Sequence, residues 1–185
     1  MKDAIQTLDD AYLVTIIFEI AHAMDLAHLY HLIHLNLNPE NIFIDEENHA
    51  KITGFGIDNF LNCTEQVGLD YSVFCLPQEV LENKKCDEKV DVFSFGMIML
   101  FIVTRGRGPF LSRCDIKSGK IPRKPKNVKE ISHKIIRNCL LHSPEKRPKF
   151  REIVKFIKKS NFELIEGVES KVEFIKNHLR SNNKT

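Results

Sequence analysis

Fifteen consecutive residues, Val90 to Thr104, contain a single ionisable side chain, Asp91. A helix that is apolar around its whole circumference cannot lie on a surface, so the rest of the chain must wrap it. The run is shorter than the roughly 20 residues of a membrane span and carries an acid near its start, which makes it a buried core helix. A carboxylate carried inward with it needs hydrogen-bond donors from elsewhere in the fold.

Other elements follow from periodicity. Leu8-Asp9-Asp10 can cap a helix, and Tyr12, Leu13, Ile16, Ile17, Ile20, Ala21, Met24 and Ala27 recur at helical spacing, predicting a helix over about 9–30. Ile42 to Asp45 and Ala50 to Ile52 read as short strands joined by the polar turn Glu46-Glu47-Asn48-His49. Ile131 to Leu141 and Phe150 to Lys159 read as further helices. The stretch carrying Lys117, Lys120, Arg123, Lys124, Lys126 and Lys129, broken by Pro122 and Pro125, is expected to be a solvated loop; an acidic-partner site is the alternative. Beyond residue 160, Val168, Val172, Phe174, Ile175 and Leu179 form an imperfect amphipathic pattern before a polar tail. Residues 1–160 are therefore expected to form the main domain, with 161–185 a helical extension packed on it.

At 185 residues the chain has the length of one domain and can bury roughly 70% of its unfolded surface. Its 27 basic and 25 acidic residues leave no global field favouring nucleic acid or an anionic membrane, so neither is an expected partner. The five cysteines, odd in number and without a C-x-x-C pair, fit a reducing, cytoplasmic setting. His28, His31 and His34 recur every three residues, but the long helix is expected to end near Tyr30, which leaves His34 beyond it. Without an acid or cysteine to complete a ligand set, helix-end and core roles suit them better than zinc.

The run His34-Leu35-Asn36-Leu37-Asn38-Pro39-Glu40-Asn41 and the later Gly54-Phe55-Gly56 are then joined, in order, by Leu76-Pro77-Gln78-Glu79, by Asp91-Val92-Phe93-Ser94-Phe95-Gly96, and by Arg147 within Ser143-Pro144-Glu145-Lys146-Arg147-Pro148. This series resembles the larger, C-terminal lobe of the protein kinases, with H-R-D-L-K-P-x-N, D-F-G, A-P-E and D-V-x-S-F-G in the same order; the closing segment is similar to that of the tyrosine-kinase-like serine/threonine group. The resemblance covers about residues 5–160. It implies a mainly helical α+β fold with a short β-hairpin, and an activation segment over about Gly56 to Leu76 bearing Thr64, Tyr71 and Ser72.

In such kinases one aspartate accepts the proton of the attacking hydroxyl, an asparagine and a second aspartate hold magnesium, and a lysine offsets phosphate charge. On that resemblance Asn36 stands at the base position, Asn38 at the lysine position, Gly54 at the metal-aspartate position, and Asn41 is the retained metal-site asparagine. A carboxamide cannot take up a proton near neutral pH, and general-base help is worth roughly 10²- to 10⁴-fold. Leu35 replaces the arginine that binds a phosphorylated activation loop. Phe43 matches the floor of the adenine pocket. His34, Phe55 and Gly56 take architectural positions with a core reading for the two rings, Glu79 and Arg147 an expected ion pair, and Asp91 an acid that holds the catalytic-loop backbone.

The 185 residues contain no glycine-rich G-x-G-x-x-G and no V-A-I-K-like strand, so the fold is expected without the N-terminal lobe. The expectation is a degenerate, pseudokinase-like lobe that binds neither ATP nor magnesium tightly. It would act as a scaffold for protein partners, an active kinase or an upper lobe in trans among them. The alternative is a fragment of an ATP-dependent serine/threonine kinase, and a third reading is a gene fragment that never folds.

Overall fold

All fifteen residues of the helix Lys89–Val103 are buried, and the other elements are arranged around it. The computed structural model describes residues 1, 3–55, 75–82, 84–108, 111–126 and 128–159. Gly56, Thr64, Tyr71, Ser72 and the 161–185 extension lie outside the described residues. The helices are α1 (Ala4–Thr7), α2 (Asp10–Leu29), α3 (Gln78–Leu81), α4 (Lys89–Val103), α5 (Arg113–Lys117), α6 (Glu130–Cys139) and α7 (Phe150–Lys159). The strands are β1 (Ile42–Ile44) and β2 (Ala50–Ile52), an antiparallel pair with Phe43 opposite Lys51. The described residues are thus mainly helical with one two-stranded antiparallel sheet, the mainly helical α+β form with a short hairpin that the resemblance implied.

Sequence dictates these elements locally. Asp9 caps α2 by accepting the Tyr12 amide at 3.1 Å, and Leu13, Ile16, Ile17, Ile20 and Met24 on its inner face are fully buried. Each such side chain contributes about 1.5–3 kcal/mol through lost contact with water. By length and hydropathy α2 could cross a membrane, but its apolar face packs on α4, α7 and β2. Gly96 allows α6 to approach α4: a Cβ there would sit 2.8 Å from Cβ of Cys139.

The basic stretch is, as expected, mostly an exposed loop: Lys117, Lys120, Arg123, Lys124 and Lys126 all face solvent, and only Lys117 belongs to a helix. Ser112 and Asp115 form a reciprocal capping box at the start of α5, and Lys120 Nζ closes on Asp115 at 2.8 Å. Lys117 ends that helix, and Lys124 donates to the carbonyl of Val128. The S-x-x-D pattern at 112–115 was a readable start signal.

Two contacts clamp the periphery. Glu19 accepts from His49 Nδ1 at 2.7 Å and from the Ala50 amide at 2.8 Å, which seats the hairpin on α2. Arg105, held at φ +50°, donates to the carbonyls of Ile5 and Leu8 and to Asp10, joining α1 and the start of α2 to the end of α4.

Packing also fixes cysteine reactivity. Cys75 and Cys139 are buried, and burial pushes each thiol up to about 12, whereas Cys114 is exposed. Alkylation requires thiolate, so iodoacetamide at pH 8 should modify Cys114 in the native protein and spare Cys75 and Cys139 until denaturant is added. Peptide mass spectrometry reads this directly; fast native labelling of Cys139 would contradict the packing of α4 against α6.

Candidate functional site

The segment His34 to Asn41 lies between α2 and β1 and is held from below by Asp91, which is fully buried at the start of α4. Asp91 Oδ2 accepts from the His34 amide at 2.8 Å and pairs with His28 Nε2 at 2.8 Å, while Oδ1 accepts from the Leu35 amide at 2.9 Å. Three donors on one carboxylate explain how an acid is tolerated inside the core. They also hold Leu35 at φ +62°, a left-handed conformation that a residue with a Cβ adopts at a cost of about 1–2 kcal/mol.

His34 is fully buried. Its Nδ1 accepts the Asn36 amide at 3.3 Å, which leaves Nε2 to donate to the carbonyl of Thr53 at 3.0 Å. Burial holds its pKa below the usual histidine value, the nearby Asp91 charge opposing in part. A neutral ring fits this bonding pattern. Phe55 packs against it with ring centroids 4.4 Å apart. The core role expected for Phe55 is not realised among the described residues: the ring is 48% exposed, with His34 covering part of it. Phe43 is 56% exposed because side chains alternate along the strand, and its neighbours Ile42, buried, and Ile44, half-buried, are the ones that face the core.

The three asparagines form one network. Asn38, 3% exposed, accepts the amides of Glu40 and Asn41 through Oδ1 at 2.8 and 3.2 Å. That orientation turns Nδ2 towards Asn36, where it donates to Oδ1 at 2.8 Å and to the backbone carbonyl at 3.0 Å. Asn41 Nδ2 donates to the same carbonyl at 2.8 Å. Position 38 is therefore a buried cap of the 3₁₀ turn Pro39–Asn41, a role its place in the motif did not reveal. Asn38→Ala removes four hydrogen bonds and should cost about 1–2 kcal/mol. Asn38→Asp keeps the two caps and should lose less. Denaturant titration of both variants checks the order; equal losses would remove the cap from the account.

Gly54 lies against this cluster at φ +74°, and a Cβ there would fall 2.9 Å from Cγ and Oδ1 of Asn41. Of the three side-chain oxygens, only Asn41 Oδ1 accepts no hydrogen bond among the described residues. Among the described residues no carboxylate hydrogen-bonds to Asn41, and no group of three or more metal-ligating His, Cys, Asp or Glu side chains occurs. A hard divalent cation prefers anionic oxygens, so the donor set does not fit magnesium.

Farther from the segment, Arg147 donates to both Glu79 oxygens, at 2.5 and 3.1 Å, and to the carbonyls of Lys89, Leu141 and His142. Lys89 Nζ in turn donates to the carbonyl of Arg147. The structure thus brings His34, Asn36, Asn38, Asn41, Gly54 and Phe55 together over Asp91, while Glu79 and Arg147 form a separate buried pair. Sequence reasoning missed His28 as the third partner of Asp91; its place in the last turn of α2 was the available signal.

The comparisons agree with this geometry. The model of a family described as protein tyrosine and serine/threonine kinase matches residues 1–157. Over 160 residues the chain is 26% identical to a probable serine/threonine-protein kinase of Dictyostelium discoideum, a match covering 83% of this chain and 12% of that protein. It is 31% identical over 163 residues to serine/threonine-protein kinase 12 of Arabidopsis thaliana, covering 80% and 35% respectively. With tyrosine-protein kinase Btk of Drosophila melanogaster the figures are 26% over 151 residues, 77% and 19%. The chain spans between 12% and 35% of the length of these relatives.

Proposed function

The chain belongs to the protein tyrosine and serine/threonine kinase family, and from that premise we propose that it is a pseudokinase lobe: a protein-interaction module that transfers no phosphate by itself. The observation that carries this reading is the asparagine network. The family uses ATP and magnesium, with a carboxylate to take the acceptor proton and another to hold the metal. Here Asn36 offers an amide oxygen already engaged by Asn38, and Gly54 offers no side chain. A proton acceptor of suitable pKa is missing from the position that needs one.

The exposed rings of Phe43 and Phe55 supply the surface such a module would present. A cytoplasmic protein, an upper lobe or an active kinase in trans, is the class of partner proposed for it. Thermal unfolding of the 185-residue chain with and without millimolar Mg-ATP tests the nucleotide side. A shift below about 1 °C is expected, since a ligand stabilises only in proportion to its occupancy of the fold. A shift of several degrees that is lost in Asn41→Ala would overturn the reading.

A second reading is favoured by the partial coverage of the relatives: these residues would be the C-terminal lobe of a longer serine/threonine kinase that phosphorylates protein hydroxyls. Asn41 and the intact framework around Asp91 are compatible with it. Sequencing the transcript upstream of Met1 separates the two, because only the second requires an in-frame glycine-rich loop and strand lysine.

A further inference from the structure

Two cations and one acid are buried together where α4 starts. Lys89 is 8% exposed, Arg147 2% and Glu79 5%, and both oxygens of Glu79 are taken by Arg147. The Lys89 ammonium has three N–H donors, and among the described residues its one acceptor is the carbonyl of Arg147. A buried ammonium held by a carbonyl alone lacks the counter-charge that burial demands. One positive charge of the cluster is left over.

Lys89 and Arg147 both line a cavity of about 670 Å³ between α6 and the start of α7. Lys134 stands on its α6 wall, and Lys146 and Lys149 on the connection into α7; all three are exposed, and none is in an ion pair among the described residues. Four lysines therefore face the cavity with two acids, Glu145 and Glu152, and both acids are engaged by their own turns. Glu152 accepts the Lys149 amide at 2.8 Å. Glu145 is held by its own amide, then by the Ser143 hydroxyl and the charges of Lys146 and Arg147, which keep its carboxyl below the usual range. The cavity has the size of a small-molecule site and an excess of ammonium groups.

Ammonium groups recognise phosphate as point charges, and here they come from three elements: the start of α4, α6, and the α6–α7 connection. Charges converging from several walls suit an anion that is itself charged on several sides. A nucleotide bound to magnesium, its phosphates in a line and partly neutralised, matches them less well. We propose that this cavity binds a compact polyphosphate, a small multiply phosphorylated ring whose phosphates meet Lys89 at the base and Lys134, Lys146 and Lys149 at the rim. That chemistry occurs on soluble inositol polyphosphates and on phosphoinositide headgroups. The site is independent of the asparagine centre and of whether that centre transfers phosphate.

Calorimetric titration of the 185-residue chain with inositol hexakisphosphate, in magnesium-free buffer near physiological salt, should show saturable binding. The exposed-rim variant Lys134→Ala/Lys146→Ala/Lys149→Ala should weaken it by about tenfold or more, as should Lys89→Met, which keeps the buried stem. Removing three cations from the basic loop instead, by Lys117→Ala/Arg123→Ala/Lys126→Ala, should leave the affinity within about twofold. Flotation with vesicles containing phosphatidylinositol bisphosphate identifies the source. Co-flotation that the rim variant abolishes supports the site with a lipid headgroup as ligand; hexakisphosphate binding without co-flotation supports it with the free anion. No saturable binding of either probe, or equal losses in the rim and loop variants, would overturn the proposal.

Discussion

Arg147→Ala should destabilise the fold by about 3–5 kcal/mol, because it leaves the carboxylate of Glu79 buried without its counter-charge. Arg147 is 2% exposed and Glu79 5%. The guanidinium does more than neutralise one acid. It spans α3 through Glu79, the start of α4 through the Lys89 carbonyl, and the α6–α7 connection through Leu141 and His142, with Phe93 5.1 Å beneath it. Glu79→Ala should cost less, since Arg147 keeps its three carbonyl acceptors. The double variant should fall short of the sum of the singles, a coupling that a double-mutant cycle in urea measures. A loss for Arg147→Ala below about 1 kcal/mol, the level of an exposed pair, would show that the cluster does not hold these elements together.

The second large effect is catalytic. Restoring acids by Asn36→Asp with Gly54→Asp should not start phosphoryl transfer. A side chain at 54 must displace the carboxamide of Asn41, whose Nδ2 is bonded to the Asn36 carbonyl, and it must do so at φ +74°. Aspartate accepts the left-handed region better than most residues, so steric displacement is the larger obstacle. At position 36, a carboxylate would meet Asn38 Nδ2, which neutralises part of its basicity by hydrogen bonding to the charged form. These 185 residues also supply no strand lysine to the phosphates. Phosphate incorporation into a generic peptide should stay at background for the double variant, and turnover rising with each restored acid would refute this account of the centre.

The core was legible because it rests on local patterns. The all-apolar run at 90–104 and the stripe from Leu13 to Met24 announce α4 and α2, and the structure places their ends within one residue of the expected limits. The hairpin is shorter by one residue at Asp45, whose Oδ1 instead accepts the amides of Glu47 and His49 in the turn. What escaped were partnerships across large sequence separations. His28 meets Asp91 across 63 positions and Arg105 reaches Ile5 across 100, and neither choice leaves a periodic trace. Asn38 escaped for the opposite reason. Its place in a motif suggested a lost cation, while its side chain caps the residues immediately after it. Phe55 was read as core from its motif, but burial depends on what covers the ring, and among the described residues that is His34.

The proposed pseudokinase reading turns on positions 36 and 54, where Asn36 and Gly54 offer, among the described residues, no carboxylate to take the acceptor proton or to hold the metal beside Asn41. Incubation of the purified 185-residue chain with γ-labelled ATP, magnesium and mixed peptide acceptors measures this most directly, with an Asn41→Ala preparation made in parallel to expose contaminating enzymes. Incorporation indistinguishable between the two preparations is the predicted result. Robust transfer by the native chain that disappears in Asn41→Ala would contradict it.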